Sequence, residues 1–532
     1  MVCRTLLTGA GLMLLGTAAA AQTFPRVVPY ENAAGLEISM DDEGAPAGPA
    51  PARLAAVLKL LEGPLGTPHP GAPPATGAGM GGTYAQVARR YDRDPGFIHL
   101  LVATDRTGAV CHIRAKPGPE TQAAIPGALG RCAAEFSHPP QPSPDVHVGT
   151  SLVDLPGGWD REDKSDGIVL RRTLLRRSRP DEKPGMALIV VTQPKPATPA
   201  FDDAFQAFAG TLQALRNESP FVKGSGATVN GHRIRWQYRC CGKGSARVGA
   251  WTVGVEGAAG HSFLQLVTIN APSDDDKALE AVFQGIVRSL RPSGSDQAFA
   301  LMPSGKGGLD GLYSHLDTGL RLNPLGGMGF YSEQDPVLFD GTGLFSRNLP
   351  GGETLTAACQ RKPVGCGTYT LAGSGAVEMV QVGDGFGTMQ AEHGHVEADG
   401  AIKLGDKLYS RVPPFAGPLQ GTWNSTFAQS GTIGTGSTSV FSSHSLSFTR
   451  DGRFSRTGAS GFSSSTTIGD STTGVSGGSE RPAEGGTYRL SGYTLALTGR
   501  DGRTEILSLF APDPGSDGLL VINGSNYLKE GR

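Results

Sequence analysis

Near its C-terminus the chain reads GTYRLSGYTLALTGRDGRTEILSLF, in which Tyr488, Leu490, Tyr493, Leu495 and Leu497 alternate with polar positions, apart from a break at Ser491-Gly492. Period-two alternation sends one set of side chains to one face, so the stretch predicts a meander of short strands. The pattern is written twice. From Gly311 the chain runs GLY, LFDGTGLFSR, CGTYTL and KLYSR; from Gly421 it runs GTW, SFTRDGRFSR, GGTYRL and NYLK. The offset between copies is 110 at Gly311/Gly421 and 109 at Phe345/Phe454, then 119 at Tyr369/Tyr488 and 118 at Tyr409/Tyr527. The length change therefore lies between Phe454 and Tyr488, in the Ser/Thr/Gly tract TGASGFSSSTTIGDSTTGVSGGSERPAEG, which predicts a lengthened, flexible hairpin. In each copy Asp-Gly supplies the left-handed turn of a tight hairpin, and the Phe that follows starts a strand with its ring inward. Two tandem β-domains are expected, over 311–412 and 421–532, with linkers at 293–310 and 413–420.

Upstream the periodicity changes. Between 146 and 292, strand-like runs VHVGTSLVDL, IVLRRTLL and MALIVVTQ precede a helix from Phe201 to Leu215, then HRIRWQYRC, RVGAWTVGV and HSFLQLVTI. SDDDKALEAVFQGIVRSL closes the segment as a helix, with Ser273 as N-cap, three aspartates at its N-terminal end, and Leu279, Val282, Phe283, Ile286 and Leu290 on one face. That order predicts an α/β sandwich on an antiparallel sheet. Residues 22–145 predict a smaller α+β domain of helix, long loop, helix, hairpin and helix. Its first helix carries Leu54, Val57, Leu58 and Leu61, and PLGTPHPGAPPATGAGMGG follows as an irregular loop. GFIHLLVATDRTGAVCHIRAKP is then the hairpin, and PETQAAIPGALGRCAAEF the last helix.

Length and composition fit this multidomain, α+β and all-β picture. A chain of 532 residues exceeds one hydrophobic core. Its 78 glycines are about twice the usual share, and 18% charged residues fall short of the usual ~25%, which favours turns and strands over long helices. A formal net charge of −2 gives no general attraction to polyanions, so nucleic acid is not an expected partner. The first 21 residues, MVCRTLLTGAGLMLLGTAAAA, place a cation at Arg4 before an apolar run and end on Ala19-x-Ala21; they read as a secretory signal with the mature start at Gln22. Cys3 precedes the apolar run, so no lipid anchor is implied, and no later run is long enough to be a transmembrane anchor. The expected location is periplasmic or secreted. The remaining six cysteines form three local pairs, Cys111/Cys132, Cys240/Cys241 and Cys359/Cys366, read as disulfides of an oxidising compartment.

Three resemblances accompany these patterns. GTW at Gly421 to Trp423 resembles the G-x-W start of lipocalins, in which the Trp plugs one end of the barrel; the first copy has Tyr313 there. The element order of 146–292, with its LPGGW turn, resembles the PsbP-like α/β/α sandwiches and implies a binding or assembly module. GAVCHI with RCAAEF resembles the C-terminal domain of TonB-type transducers over some forty residues.

Candidate chemistry is sparse. GAGMGG at Gly77 to Gly82 has the dinucleotide spacing but lacks a preceding strand, and GVSGG around Ser476 lies in low-complexity sequence with neither strand nor helix beside it. EHGHVE places His393 and His395 on one face of a strand, where two imidazoles could share a metal; with Glu392 and Glu397 they are the candidates for a hydrolase. A solvated hairpin end competes with that reading. The run RRTLLRRSR at 171–179 sends its arginines to both faces of a strand, so it makes no single anionic patch. No cofactor is expected. The leading expectation is an exported, non-enzymatic binding protein of the cell envelope that takes a small apolar ligand, an envelope component or a protein partner; a metal-dependent hydrolase and a purely structural assembly module are the alternatives.

Overall fold

The computed structural model describes residues 26–28, 36–41, 50–71, 73–79, 82–104, 110–137, 143–174, 185–241, 246–258, 260–271, 273–293, 296–297, 299–322, 328–415, 417–433, 436–468, 471–500, 502, 504–513 and 515–531. The chain is mostly β and divides into two compact units, one ending at Phe299 and one beginning at Ala300. No described helix is long and apolar enough to cross a membrane.

The first unit holds two large sheets and a two-stranded one, Ser143–Val148 with Ser151–Leu155. A six-stranded antiparallel sheet runs in the order 26–28, 36–41, 110–115, 98–104, 82–89, 75–79. Strand alternation gives it two apolar faces. Leu101, Ala103 and Val110 meet Leu54 and Val57 of helix Ala50–Leu65, while Val102, Cys111 and Ile113 meet Ala124, Ala128 and Cys132 of helix Pro119–Ser137. The segment GTYAQVAR, expected to be a helix, is strand Gly82–Arg89. Part of the expected irregular loop is its partner, Ala75–Gly79. Tyr84, Val87 and Tyr91 lie at helical spacing, but burial of Ala85 and Val87 together against the first helix, with Tyr84 on the opposite face, selects the strand. Gly77 to Gly79 therefore lie in a strand and Gly82 opens its partner strand, with no helix after it.

The second sheet has seven antiparallel strands in the order 222–227, 233–240, 248–257, 260–269, 185–192, 167–174, 160–164. Phe263 packs against Phe201 and Phe205 of helix Phe201–Ala209. Thr268, of opposite parity on the same strand, hydrogen-bonds Asp276 of helix Ser273–Ser289, so the two helices cover opposite faces.

The second unit is a tandem of closed, eight-stranded antiparallel barrels whose strands follow one another in chain order, the up-and-down arrangement of lipocalin-like barrels. The first runs from Gly311 to Val412 and the second from Gly421 to Lys529. Residues 304–309, assigned to a linker from sequence, bond across the first barrel's closed end: Ser304 Oγ donates to the Tyr369 carbonyl at 2.5 Å and Leu371 N–H to the Lys306 carbonyl at 2.9 Å. The Ser/Thr/Gly tract is a lengthened hairpin, as expected, but it is built of regular paired strand and not of loop. It lies in strands Arg453–Ile468 and Ser471–Ser491, paired from Arg453↔Thr487 out to Ile468↔Ser471 with one irregularity at Arg456/Gly458. Small polar residues give no apolar period to read, yet their backbones complete a ladder as well as any others.

Glycine has a recurrent use in these sheets. Gly77, Gly224, Gly319 and Gly461 stand directly across from Tyr84, Trp236, Tyr331 and Phe441, and in each case a Cβ on the glycine would fall 2.9 Å or less from the aromatic ring. The missing side chain lets the ring lie flat on the neighbouring strand, a cross-strand pairing that offsets the weak strand propensity of glycine.

Candidate binding surfaces of the paired barrels

The repeated phrase builds the inside of each barrel. At the first turn Asp340 Oδ1 accepts from Thr342 N–H and Leu344 N–H, both at 3.0 Å, and Gly343 adopts φ 103°. Phe345 and Phe454, which open the next strand in each copy, are buried in the two cores. Two residues on, hence on the same inner face, stand Arg347 and Arg456. Arg347 donates to Asp335 at 3.0 Å, Glu392 at 2.6 Å and Gln381 at 3.1 Å, while Tyr409 donates its hydroxyl to Asp335 at 2.7 Å. Arg456 donates to Glu484 at 2.8 Å and to Glu505. Burial opposes both guanidinium charges, but the hydrogen bonds and carboxylates around them outweigh it and hold the two groups above the ordinary arginine range. Burial, with help from Asp335, pushes the Tyr409 hydroxyl up to about 12.

The tyrosine landmarks tie the opposite ends. Tyr369 Oη accepts from Leu309 N–H at 2.9 Å and lies 2.6 Å from the Asp340 carbonyl; Tyr488 Oη lies 3.0 Å from the Leu419 carbonyl. Tyr313 and Trp423 fill equivalent floor positions, and Trp423 is fully buried with its indole N–H donating to the Asp517 carbonyl at 2.7 Å. Both interiors are thus occupied by aromatic rings and an arginine network. At the mouth of the second barrel, His444, Arg456, Glu505, Asn523 and Tyr527 line a cavity of about 30 Å³. That is room for a water or two, against ~300–1,000 Å³ for an organic ligand site.

The outer faces are different. Leu312, Leu338, Leu349 and Val412 of the first barrel pack against Tyr493, Phe510 and Val521 of the second, and Tyr493 Oη donates to the Val412 carbonyl at 2.7 Å. Asn526 adds a bond to the Ser332 carbonyl at 2.9 Å. Beyond this contact the hairpin Gly311–Leu322/Met328–Phe339 continues with two unlike faces. Its inner parity carries Asp317, Arg321, Tyr331 and Glu333, joined by Tyr331–Asp317 at 3.2 Å and Arg321–Glu333 at 2.5 Å. The outer parity carries Leu316, Leu320, Met328 and Phe330, which are 49%, 67%, 62% and 71% exposed, with Leu320 directly opposite Phe330. Four large apolar side chains in one exposed strip are unusual on a solvated sheet.

His393 and His395 lie on the exposed face of strand Met389–Val396, whereas Glu392 turns inward to Arg347. Strand alternation thus separates Glu392 from the two imidazoles, while Glu397 lies exposed just past the end of the strand. No group of three potential metal ligands occurs among the described residues. Cys111 and Cys132 are bonded, as are Cys359 and Cys366, with Cα separations of 5.9 and 5.6 Å; Cys241, next to Cys240, has φ 69°. Of the basic run, Arg171 pairs with Glu162 at 3.0 Å, and residues 175–179 lie outside the described residues.

One polar cluster in the first unit had no sequence signal. Arg114 grips Asp94 through two bonds of 2.6 and 2.9 Å, Asp94 meets His99 Nε2 at 3.1 Å, and His99 Nδ1 meets His112 Nε2 at 2.9 Å. Burial would raise Asp94, but the bonds and charges of Arg114 and His99 bring it below its ordinary value; burial, then the charges of His99 and Arg114, push His112 down to about 3. Positions 94, 99, 112 and 114 share no motif. Only the hairpin register, which sets His99 opposite Arg114, brings them together.

Comparison with known proteins adds little. No protein-family model matches the chain, and the curated proteins contain no match. Among solved structures, the apo structure of the immunity protein TplEi of the T6SS from Pseudomonas aeruginosa is similar at 13% identity, over 51% of this chain and 96% of that one, with a TM-score of 0.17. A likeness at that level carries no argument about fold or function.

Proposed function

We propose that the chain is an exported, non-enzymatic binding protein of the bacterial cell envelope, and that it docks a protein partner on the outer face of its first barrel. The observation that carries this reading is the strip Leu316, Leu320, Met328 and Phe330, set back to back with a fully paired polar face. Covering what remains exposed of each side chain is worth roughly 1–2 kcal/mol, enough together to anchor an interface of ordinary size. The aromatic and arginine filling of both barrels favours this surface over a small apolar ligand held inside, as a lipocalin would hold it. Export is supported by the signal-like first 21 residues and by disulfides at Cys111–Cys132 and Cys359–Cys366.

A photo-crosslinking amino acid placed at Phe330, in cells that make the protein naturally, tests the reading. It should capture one defined protein, while the same probe at Glu333, on the opposite face, should not. Equal capture from both positions, or capture from neither, contradicts it.

A further inference from the structure

The second barrel carries a long strand edge that has no ladder partner and no guard among the described residues. Strand Gly421–Ile433 closes the barrel against Ser525–Lys529 only at Trp423 and Asn424. The Thr422 carbonyl accepts from Glu530 N–H at 2.8 Å, so the backbone groups of even-numbered residues face this side. The ladder to strand Gly436–Phe448 has no irregularity, and the phase persists to the end of the strand. Thr426, Ala428, Ser430 and Thr432 therefore present their N–H and C=O groups along an edge with no ladder partner among the described residues.

Other open edges of the two barrels carry the usual deterrents to strand addition. Residues 315–322 include Asp317 and Arg321; residues 328–337 include Glu333, Asp335 and Pro336; residues 471–485 include Glu480, Arg481, Pro482 and Glu484. Residues 425–433, STFAQSGTI, have no charge and no proline, and their ladder has no bulge. A nine-residue edge left in this state is suited to pairing.

We propose that this edge joins two copies of the chain in a two-fold antiparallel pairing of residues 425–433. The sequence is self-complementary about Gln429. With Gln429 on the axis, Thr426 meets Thr432 and Ala428 meets Ser430, so the outward-facing backbone groups bond to one another. Phe427, 46% exposed, then stands opposite Gly431 of the other copy. That is the aromatic-over-glycine pairing already used at Tyr84/Gly77, Trp236/Gly224, Tyr331/Gly319 and Phe441/Gly461. The absence of charge removes the like-charge repulsion that two identical edges ordinarily meet. This interface is independent of the partner strip on the first barrel.

Sedimentation of the full chain across the micromolar range tests the proposal. The wild type should dimerise. Ala428→Pro, which removes an outward N–H and leaves the inward ladder intact, and Ser430→Lys, which installs an edge charge, should each weaken the dimer at least about tenfold with unchanged melting. Phe330→Ser should leave it intact, which separates failure here from failure of the partner surface. In a Cys240→Ser/Cys241→Ser background, Gln429→Cys should form an intermolecular disulfide, and cysteine at Ala428 or Ser430 should not. A monomeric wild type, a dimer indifferent to both edge variants, or cross-linking at the neighbouring positions instead of 429 overturns the proposal.

Discussion

Replacing Arg347 with Met tests whether the arginine of the repeated phrase holds the first barrel together. Met keeps most of the stem volume but removes the bonds to Asp335, Glu392 and Gln381 and leaves two carboxylates facing each other across the barrel. Breaking a fully buried pair costs ~3–5 kcal/mol. Here Arg347, Asp335 and Glu392 are 21%, 27% and 29% exposed, so water recovers part of the loss, and Tyr409 and Lys407 still hold Asp335. About 2–3 kcal/mol remains, or roughly 5–10 °C in the melting of a unit of this size. Calorimetry of the full chain should show that shift in the transition of the C-terminal unit. Arg456→Met should behave alike, because Arg456 is 14% exposed between Glu484 and Glu505. Arg453→Met is the control: its side chain is 77% exposed beside Asp451, and its removal should change stability by less than about 0.5 kcal/mol. If Arg347→Met and Arg453→Met are indistinguishable, the arginine is a surface charge and the argument fails.

Further predictions concern the first unit. Cys111→Ala should lower its stability by about 3 kcal/mol, since the bridge closes a loop of 21 residues inside a buried cluster; a change below about 1 kcal/mol in denaturant titration would contradict this. His112 should make the unit acid-sensitive. Its folded value of about 3 lies below the unfolded value near 6.5, so its contribution is complete above pH 6.5 and falls as acid is added, by at most about 2 kcal/mol at pH 5. His112→Gln should flatten the slope of stability between pH 6.5 and 5, and an unchanged slope would rule the histidine out. Asp94, also lowered in the folded state, should add a second loss below about pH 4, absent in Asp94→Asn.

The tandem barrels were legible because their signals are local: Asp-Gly turns, alternating apolar residues, and landmarks at constant offset. The role of Arg347 and Arg456 was not, since a charge at strand period reads as solvent-facing until closure of the barrel makes that face an interior. His393 and His395 were correctly placed on one strand face, but sequence does not say whether that face is inside or out. The Ser/Thr/Gly tract was legible as a lengthened hairpin, but the regularity of its pairing was not, for a related reason. Its strands are specified by backbone pairing and by Phe441 lying over Gly461, neither of which leaves an apolar period. Asp94, His99, His112 and Arg114 converge through cross-strand register, which no spacing rule reveals.

We propose that this protein binds through the outer surface of filled barrels. Native mass spectrometry of the chain isolated from its own cells measures that most directly. It should show no small-molecule adduct and a stoichiometric protein complex that is lost in Leu320→Ser/Phe330→Ser. A defined low-mass adduct retained by that double variant, with no protein partner, would contradict it.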